Sequence, residues 1–176
     1  MNGYQTQMYQ EIMEIPCVVE RLLIEGAEDM RATAKSLREL DPAFFISVAR
    51  GSSDHVATYF KYASELLLGI PVASIGPSIA SIYKCEMGLK GAACISISQS
   101  GKSPDILEMT RMATSMGVVS VAITNETTSP LANQSSHVLS LHAGTELSIA
   151  ATKTFVTSAV SAIWLLTEWA DDATLR

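Results

Sequence analysis

Short apolar runs alternate with longer amphipathic stretches from residue 43 onward. This alternation is typical of parallel strands joined by crossover helices, because a strand covered on both faces is apolar at nearly every position. The pattern predicts strands over residues 44–49, 72–75, 93–97, 118–123 and 137–141. It predicts helices over residues 54–68, 78–87, 104–116 and 151–170, with a short helical turn near Leu131. We therefore expect an α/β protein.

The chain before residue 41 has a purely helical pattern. Apolar residues recur every three or four positions on both sides of Pro16, which predicts two helices. A third helix is predicted over residues 27–40, and Pro42 ends it because the residue before a proline disfavours helical geometry. The expected organisation is an N-terminal helical extension, residues 1–40, followed by one α/β domain, residues 41–176.

Amino-acid composition argues against three classes of binding partner: nucleic acids, membranes and metal ions. The net charge is -6 and lysine and arginine form no run, which argues against a nucleic-acid partner. No stretch approaches the ~18 apolar residues of a membrane helix, and the N-terminus lacks a signal sequence. A cytoplasmic protein without a membrane partner is expected. Cys17, Cys85 and Cys94 are too widely spaced for a zinc site or a disulfide framework, so buried free thiols and no metal are predicted.

A serine-rich turn follows the third predicted strand directly and leads into a helix that begins at Pro104. The first N–H groups of a helix lack internal partners and lie at the positive end of its dipole, so an anion binds well there. Ser98, Ser100 and Ser103 add three hydroxyl groups, and Gly101 allows a tight turn. The pattern predicts a phosphate site. The alternative is that Ser103 only caps the helix and the other serines only form the turn.

A second turn of the same design, containing Gly51, Ser52 and Ser53, follows the first strand. In a sheet with strand order 2-1-3-4-5 the first and third strands flank the point where the order reverses, and ligands bind there. The two turns are therefore expected to face one pocket. The alternative is that Ser53 or Asp54 merely caps the next helix.

A third segment, residues 144–153, links the last strand to the final helix. Its Glu146 could be a base or a helix cap, and both alternatives stay open. Lys153 would oppose the helix dipole unless it reaches another group. The three histidines are widely separated and favour structural roles, and their spacing defines no catalytic triad; they are His55, His137 and His142.

The three motifs together, in this order and spacing, resemble the sugar isomerase (SIS) domain over roughly residues 40–170. The matching residues are 49–53, 98–101, 144–146 and 151–153. The N-terminal helices and residues 98–105 further resemble tandem-SIS proteins of the glucosamine-6-phosphate deaminase and isomerase group. These proteins are similar to the isomerase part of glucosamine-fructose-6-phosphate aminotransferase.

This resemblance implies a three-layer α-β-α sandwich around a five-stranded parallel sheet of order 2-1-3-4-5, as in flavodoxin. It implies that four serines hold the substrate phosphate: Ser53, Ser98, Ser100 and Ser103. It implies that six residues contact the sugar: Gly51, Ser52, Gln99, Ile149, Ala150 and Ala151. Relatives usually carry serine at the position of Ala151, so one hydroxyl contact is missing here.

The activity implied by the resemblance is conversion of glucosamine 6-phosphate, or a similar amino-sugar phosphate, to fructose 6-phosphate and ammonia, with no cofactor. Members of the group normally carry two SIS domains, and their acid and base residues come from the second, which this sequence lacks. We therefore expect a first SIS domain that anchors the sugar phosphate, and catalytic residues are not assigned.

A non-catalytic phosphosugar sensor is the alternative function, since SIS domains also occur in regulators. Such regulators carry a DNA-binding helix-turn-helix ahead of the domain, whereas the helices before residue 42 are acidic. A nucleotide-binding domain has less support, because neither a GxGxxG nor a GxxxxGK[ST] motif follows a strand. Trp164 and Trp169 are expected to pack in the core or on a partner surface. Apolar faces on the N-terminal helices, together with these tryptophans, predict self-association or pairing with a second SIS domain.

Overall fold

The computed structural model describes residues 6–171 and contains a single five-stranded sheet within them. The strands are β1 (Phe44–Ala49), β2 (Val72–Ser74), β3 (Ala92–Ile97), β4 (Val119–Thr124) and β5 (His137–Ser140). Every neighbouring pair is parallel, and the order is β2-β1-β3-β4-β5. The predicted fold class and strand order are confirmed, and each strand end lies within one residue of its predicted position.

Helices surround this sheet. They are α1 (Gln7–Met13), α2 (Ile15–Glu25), α3 (Ala27–Leu40), α4 (Ser52–Leu67), α5 (Ser78–Ser81), α6 (Pro104–Ser115), α7 (Pro130–Gln134) and α8 (Lys153–Ala170). Helix α5 is shorter than predicted, because Lys84 adopts a left-handed φ of 52° that a right-handed helix cannot continue through. The two N-terminal helices and α3 form as the apolar spacing predicts.

The sheet separates two apolar layers, which completes the three-layer sandwich. Helices α3, α4 and α8 pack on one face, and α5, α6 and α7 pack on the other. Successive residues of β1 alternate between the layers: Phe45 belongs to the first and Ile46 to the second. The Phe45 ring meets Phe60 and Trp169 edge-on, at centroid distances of 5.2 and 5.3 Å. This packing fixes the sheet, and with it the turns at its carboxyl edge.

The structure decides between the two alternatives for Trp169, the core or a partner surface. Trp169 is only 7% exposed and packs on Phe45 in the core, so it is not part of a partner surface. Trp164 is partly buried against the same core. Both tryptophans lie on the face of α8 that must cover the sheet, and helical spacing alone does not say which face that is.

The cysteines are a second correction. Cys94 is buried in β3 as expected, and burial raises the pKa of its thiol to about 11. Cys17 and Cys85 are exposed, contrary to the prediction. Cys17 lies on the outward face of the amphipathic α2, and Cys85 lies in the irregular segment after α5. No helix within residues 6–171 has the length and apolar character needed to cross a membrane.

Candidate functional site

The predicted turns lie at one edge of the sheet, because the carboxyl ends of parallel strands share an edge. An ion pair joins them: Arg50, in the turn after β1, lies with Nη2 3.2 Å from Oδ2 of Asp105, in the first turn of α6. This contact makes the turns after β1 and β3 direct neighbours.

The serine turn (residues 98–103) is held by its own hydroxyl groups. Ser98 is buried, and its Oγ accepts a hydrogen bond from Gly101 N at 3.2 Å. The Oγ of Ser100 accepts one from Lys102 N at 3.4 Å. A serine hydroxyl that accepts through a lone pair still has its proton to donate. Both hydroxyls therefore keep a proton that these two contacts do not use.

Backbone N–H groups of the serine turn are also available as donors. Among the hydrogen bonds within residues 6–171, none takes the N–H of Gln99, Ser100 or Ser103 to an internal acceptor. Ser103 occupies the N-cap position of α6, but its side chain makes no capping bond. The alternative that Ser103 serves only as a cap therefore loses its support. Three N–H groups and three hydroxyls remain available at the positive end of α6.

Gly101 fixes the serine turn against α7. Its φ is +60°, and its carbonyl accepts from Leu131 N at 3.1 Å. A Cβ at this position would lie 2.1 Å from Oγ of Ser129. Only glycine fits both the left-handed conformation and this close approach.

A cavity of about 400 Å³ adjoins the serine turn, within the range of about 300–1,000 Å³ usual for small-molecule sites. Three elements contribute: the serine turn, the residues after β4 and the segment after β5. The lining residues are Gln99, Ser100, Lys102, Asn125, Glu126, Gly144, Thr145 and Glu146.

The lining of the cavity carries one basic and two acidic side chains. Lys102 contributes a positive charge, and Glu126 and Glu146 contribute carboxylates. The Thr128 hydroxyl, hydrogen-bonded to Glu126 at 2.8 Å, lowers the pKa of Glu126, as do the Thr128 N–H and the charge of Lys102. Glu126 is therefore ionised at neutral pH. An anionic ligand here would depend on hydroxyl and N–H donors rather than on excess positive charge.

Glu146 caps the start of α8. Its Oε1 accepts from Thr152 N at 3.1 Å, Thr152 Oγ1 at 2.8 Å and Thr154 N at 3.1 Å, and Thr154 Oγ1 donates to Oε2. Of the two alternatives left open by the sequence, base or cap, these contacts support the cap. They also explain why α8 begins at Lys153 rather than at Ala151.

Asn125 is a site residue that the sequence reasoning missed. Its Nδ2 donates to the Gly144 carbonyl at 2.7 Å, and its Oδ1 accepts from Ala143 N at 3.0 Å. The side chain thereby ties the end of β4 to the segment after β5. Its position gave the signal, because it follows a buried strand directly, as the two predicted turns do.

Replacing Asn125 with alanine is expected to lower the free energy of unfolding by about 1–2 kcal/mol, because two hydrogen bonds are lost. Urea denaturation measures the change. Asn133→Ala is a matched control, since Asn133 donates a single bond, to Thr128 O at 3.2 Å, and should cost less. An equal or smaller loss for Asn125→Ala would contradict a bridging role.

The turn after β1 lies outside this cavity. Helix α4 begins at Ser52, after Gly51 with φ 60° and ψ -136°, and no side chain caps it, so the alternative of Ser53 or Asp54 as a cap is not supported. Gly51 and Asp54 line a separate cavity of about 260 Å³ beside β2. The two turns therefore lie at the same edge of the sheet, as expected, but they line two separate cavities instead of one pocket.

Residues 149–151 form a tip ahead of α8: Ile149 and Ala150 are exposed, the Ile149 side chain fully, and Ala151 is partly buried. None of the three lines the cavity beside the serine turn. Sugar contacts by Ile149, Ala150 and Ala151 therefore remain predictions, as do those by Gly51, Ser52 and Gln99. The same holds for phosphate contacts by Ser53 and the serine turn.

Two partly buried histidines have structural partners, in line with the sequence interpretation. His137 Nε2 lies 2.9 Å from Ser36 Oγ, and burial lowers the pKa of His137. His142 Nδ1 lies 3.0 Å from Oε2 of Glu25. His55 is exposed on α4. Across residues 6–171, no group of three histidine, cysteine or acidic side chains is arranged to hold a metal ion.

Together these features define a doubly wound α/β domain with a serine-rich turn, and N–H groups unpaired within residues 6–171, at the carboxyl edge of its sheet. The SIS domain family profile matches residues 44–168, and the chain belongs to this family.

Two solved structures and one curated relative extend this result. A presumed phosphosugar isomerase from Silicibacter pomeroyi DSS-3 is 58% identical with a TM-score of 0.94, over 97% of this chain and 52% of that one. The C-terminal domain of glucosamine-fructose-6-phosphate aminotransferase from Francisella tularensis is 29% identical with a TM-score of 0.83, over 96% and 48%. The isomerizing glutamine–fructose-6-phosphate aminotransferase of Sulfurisphaera tokodaii is 32% identical over 166 residues, 94% of this chain but 28% of the relative.

These comparisons confirm the resemblance to the isomerase domain of the aminotransferase. They also show that the chain spans about half the length of the two solved relatives and 28% of the curated one.

Proposed function

We propose that this domain binds the phosphate of a hexose or hexosamine 6-phosphate in the serine turn. The observation that carries the proposal is the set of unused donors at the start of α6: the Ser98, Ser100 and Ser103 hydroxyls and the N–H groups beside them. The similarity to a presumed phosphosugar isomerase supports the choice of ligand.

In this proposal the two neighbouring turns divide the ligand between them. Ser98, Ser100 and Ser103 hold the phosphate, and Ser53 adds a hydroxyl from the turn after β1. Gly51, Ser52 and Gln99, in the same two turns, contact the sugar. The tip, which consists of Ile149, Ala150 and Ala151, lines the opposite side of the sugar. The Arg50–Asp105 pair supports this arrangement, because it links the two turns.

The proposed parent activity is deamination and isomerisation of an amino-sugar phosphate. Ring opening exposes the C1 aldehyde; a proton then moves from C2 to C1, and a second proton moves from the amino nitrogen to O1. Water adds to the resulting C2 imine and ammonia leaves, so glucosamine 6-phosphate and water give fructose 6-phosphate and ammonia. Holding the phosphate far from C1 and C2 uses remote binding energy to orient those carbons. The acid and base groups would come from a second SIS domain.

Pairing with a second SIS unit also remains a proposal. Helices α1 and α2 expose apolar side chains, which supports an interface there. The exposed residues are Met8, Tyr9, Ile12, Met13, Leu23 and Ile24. The greater length of the solved relatives is consistent with either a second copy of this chain or the other half of a tandem protein.

Thermal unfolding with a ligand panel tests the proposed function. Glucosamine 6-phosphate, fructose 6-phosphate and glucose 6-phosphate should raise the Tm, because a ligand at 100 times its Kd adds about 2.7 kcal/mol of stability. Unphosphorylated glucosamine should not. Ammonia release in the same samples distinguishes turnover from binding alone. If no phosphorylated sugar shifts the Tm, the proposal fails.

A further inference from the structure

We propose that the N-terminal helices act as a latch that fixes the sugar-facing tip, with Glu11 and Glu14 as its positioning residues. This inference rests on the proposed function, which places residues 149–151 against the sugar. The N-terminal helices then contribute to substrate recognition without touching the ligand.

Glu11 holds the chain just before the tip. It is only 1% exposed, and its Oε1 accepts from Leu147 N at 2.6 Å. Both of its carboxylate oxygens lie 3.3 Å from Ser148 N. A buried carboxylate must be satisfied by hydrogen bonds, and those from N–H groups to an ionised acceptor are among the stronger ones. Glu11 is thus committed to the segment before the tip.

Glu14 holds the chain just after the tip. Its Oε2 lies 2.5 Å from Nζ of Lys153, whose side chain is only 4% exposed. A buried ammonium group needs a partner, and a positive charge in the first turn of α8 is unfavourable without one. Lys153 therefore meets the condition set from the sequence, because it reaches a carboxylate on the N-terminal helices.

Within its own segment the tip is closed by Glu146, which accepts hydrogen bonds from Thr152, and the N-terminal helices supply the anchors from outside that segment. The Ile149 side chain is fully exposed, so packing in the core does not determine its position. The anchors lie on both sides: Leu147 and Ser148 before it, Lys153 after it. Since a short span between fixed ends has few conformations, the two carboxylates hold the closed tip in place against the N-terminal helices.

The latch is tested by comparing two ligands in the same variants. Inorganic phosphate needs only the serine turn, whereas glucosamine 6-phosphate also needs the tip. For Glu11→Gln and Glu14→Gln, calorimetry should show the Kd for glucosamine 6-phosphate rising about tenfold, as expected for loss of a hydrogen bond to a charged group. The Kd for inorganic phosphate should stay within about twofold. Glu20→Gln, an exposed change on α2, is the control and should alter neither.

The outcomes separate the latch from the proposed function. If the unaltered chain does not bind glucosamine 6-phosphate, the proposed function fails and the latch fails with it. If the unaltered chain binds but both variants match it, only the latch is overturned. Equal weakening for both ligands, or unfolding of both variants, would show that the carboxylates serve stability alone. Glu14 is half-exposed, so its variant is the less disruptive of the two.

Discussion

Replacing Ser98 and Ser100 together with alanine is expected to raise the Kd for glucosamine 6-phosphate by about 100-fold or more. Each hydroxyl would donate to a dianionic phosphate, and a hydrogen bond to a charged group contributes about 1.5–3 kcal/mol. Two such losses exceed the ~2.7 kcal/mol that corresponds to 100-fold. Isothermal titration calorimetry measures the change directly.

The control for this pair is Ser115→Ala. Ser115 lies at the far end of α6, and its hydroxyl donates to Met112 O at 2.8 Å. Its loss should leave the affinity unchanged. Circular dichroism verifies that the double variant is folded, since Ser98 Oγ also supports Gly101 N. A folded double variant with undiminished affinity would contradict a phosphate site in the serine turn.

Gly101→Ala is expected to lower the free energy of unfolding by about 3 kcal/mol and to abolish phosphosugar binding. A left-handed φ costs a non-glycine residue roughly 1–2 kcal/mol. The added Cβ would also lie 2.1 Å from Oγ and 2.6 Å from Cβ of Ser129, and overpacking of this kind costs about 1–3 kcal/mol. Urea denaturation gives the stability, and calorimetry gives the affinity.

Gly69→Ala separates the two causes. Gly69 has a φ of +68°, but an added Cβ would meet nothing within 4 Å. This variant carries the backbone strain without the collision, so it should lose only about 1–2 kcal/mol. If the free energy of unfolding falls equally in both glycine variants, the close contact between the serine turn and Ser129 does not contribute to stability.

The sequence determined most of the fold because strands buried on both faces are apolar throughout. The runs around Phe45 and Cys94 could be recognised without knowing their neighbours. The end of α5 could not be predicted, since the residue with left-handed geometry after it is Lys84 and not a glycine, the usual sequence signal for that geometry. The exposure of Cys17 also escaped prediction, and the sequence could not decide between core and surface for Trp169, because spacing defines the faces of a helix but not which face meets the sheet.

The site divides along similar lines. The serine turn could be recognised from sequence because a strand end, a glycine and a helix start are adjacent there. Asn125 directly follows the end of β4, so inspection of the residues after every predicted strand would have found it. The contacts of Glu11 and Glu14 follow no local rule. Glu11 lies 136 positions before Leu147 in the sequence, and Glu14 lies 139 positions before Lys153. Only the packed structure brings these partners together.

The most direct test of the account is a crystal structure of this chain with glucosamine 6-phosphate at saturating concentration. We expect the phosphate oxygens within hydrogen-bonding distance of the Ser98, Ser100 and Ser103 hydroxyls, at the first turn of α6. A phosphate bound at another place on the protein, with the serine turn unoccupied, would contradict the central claim.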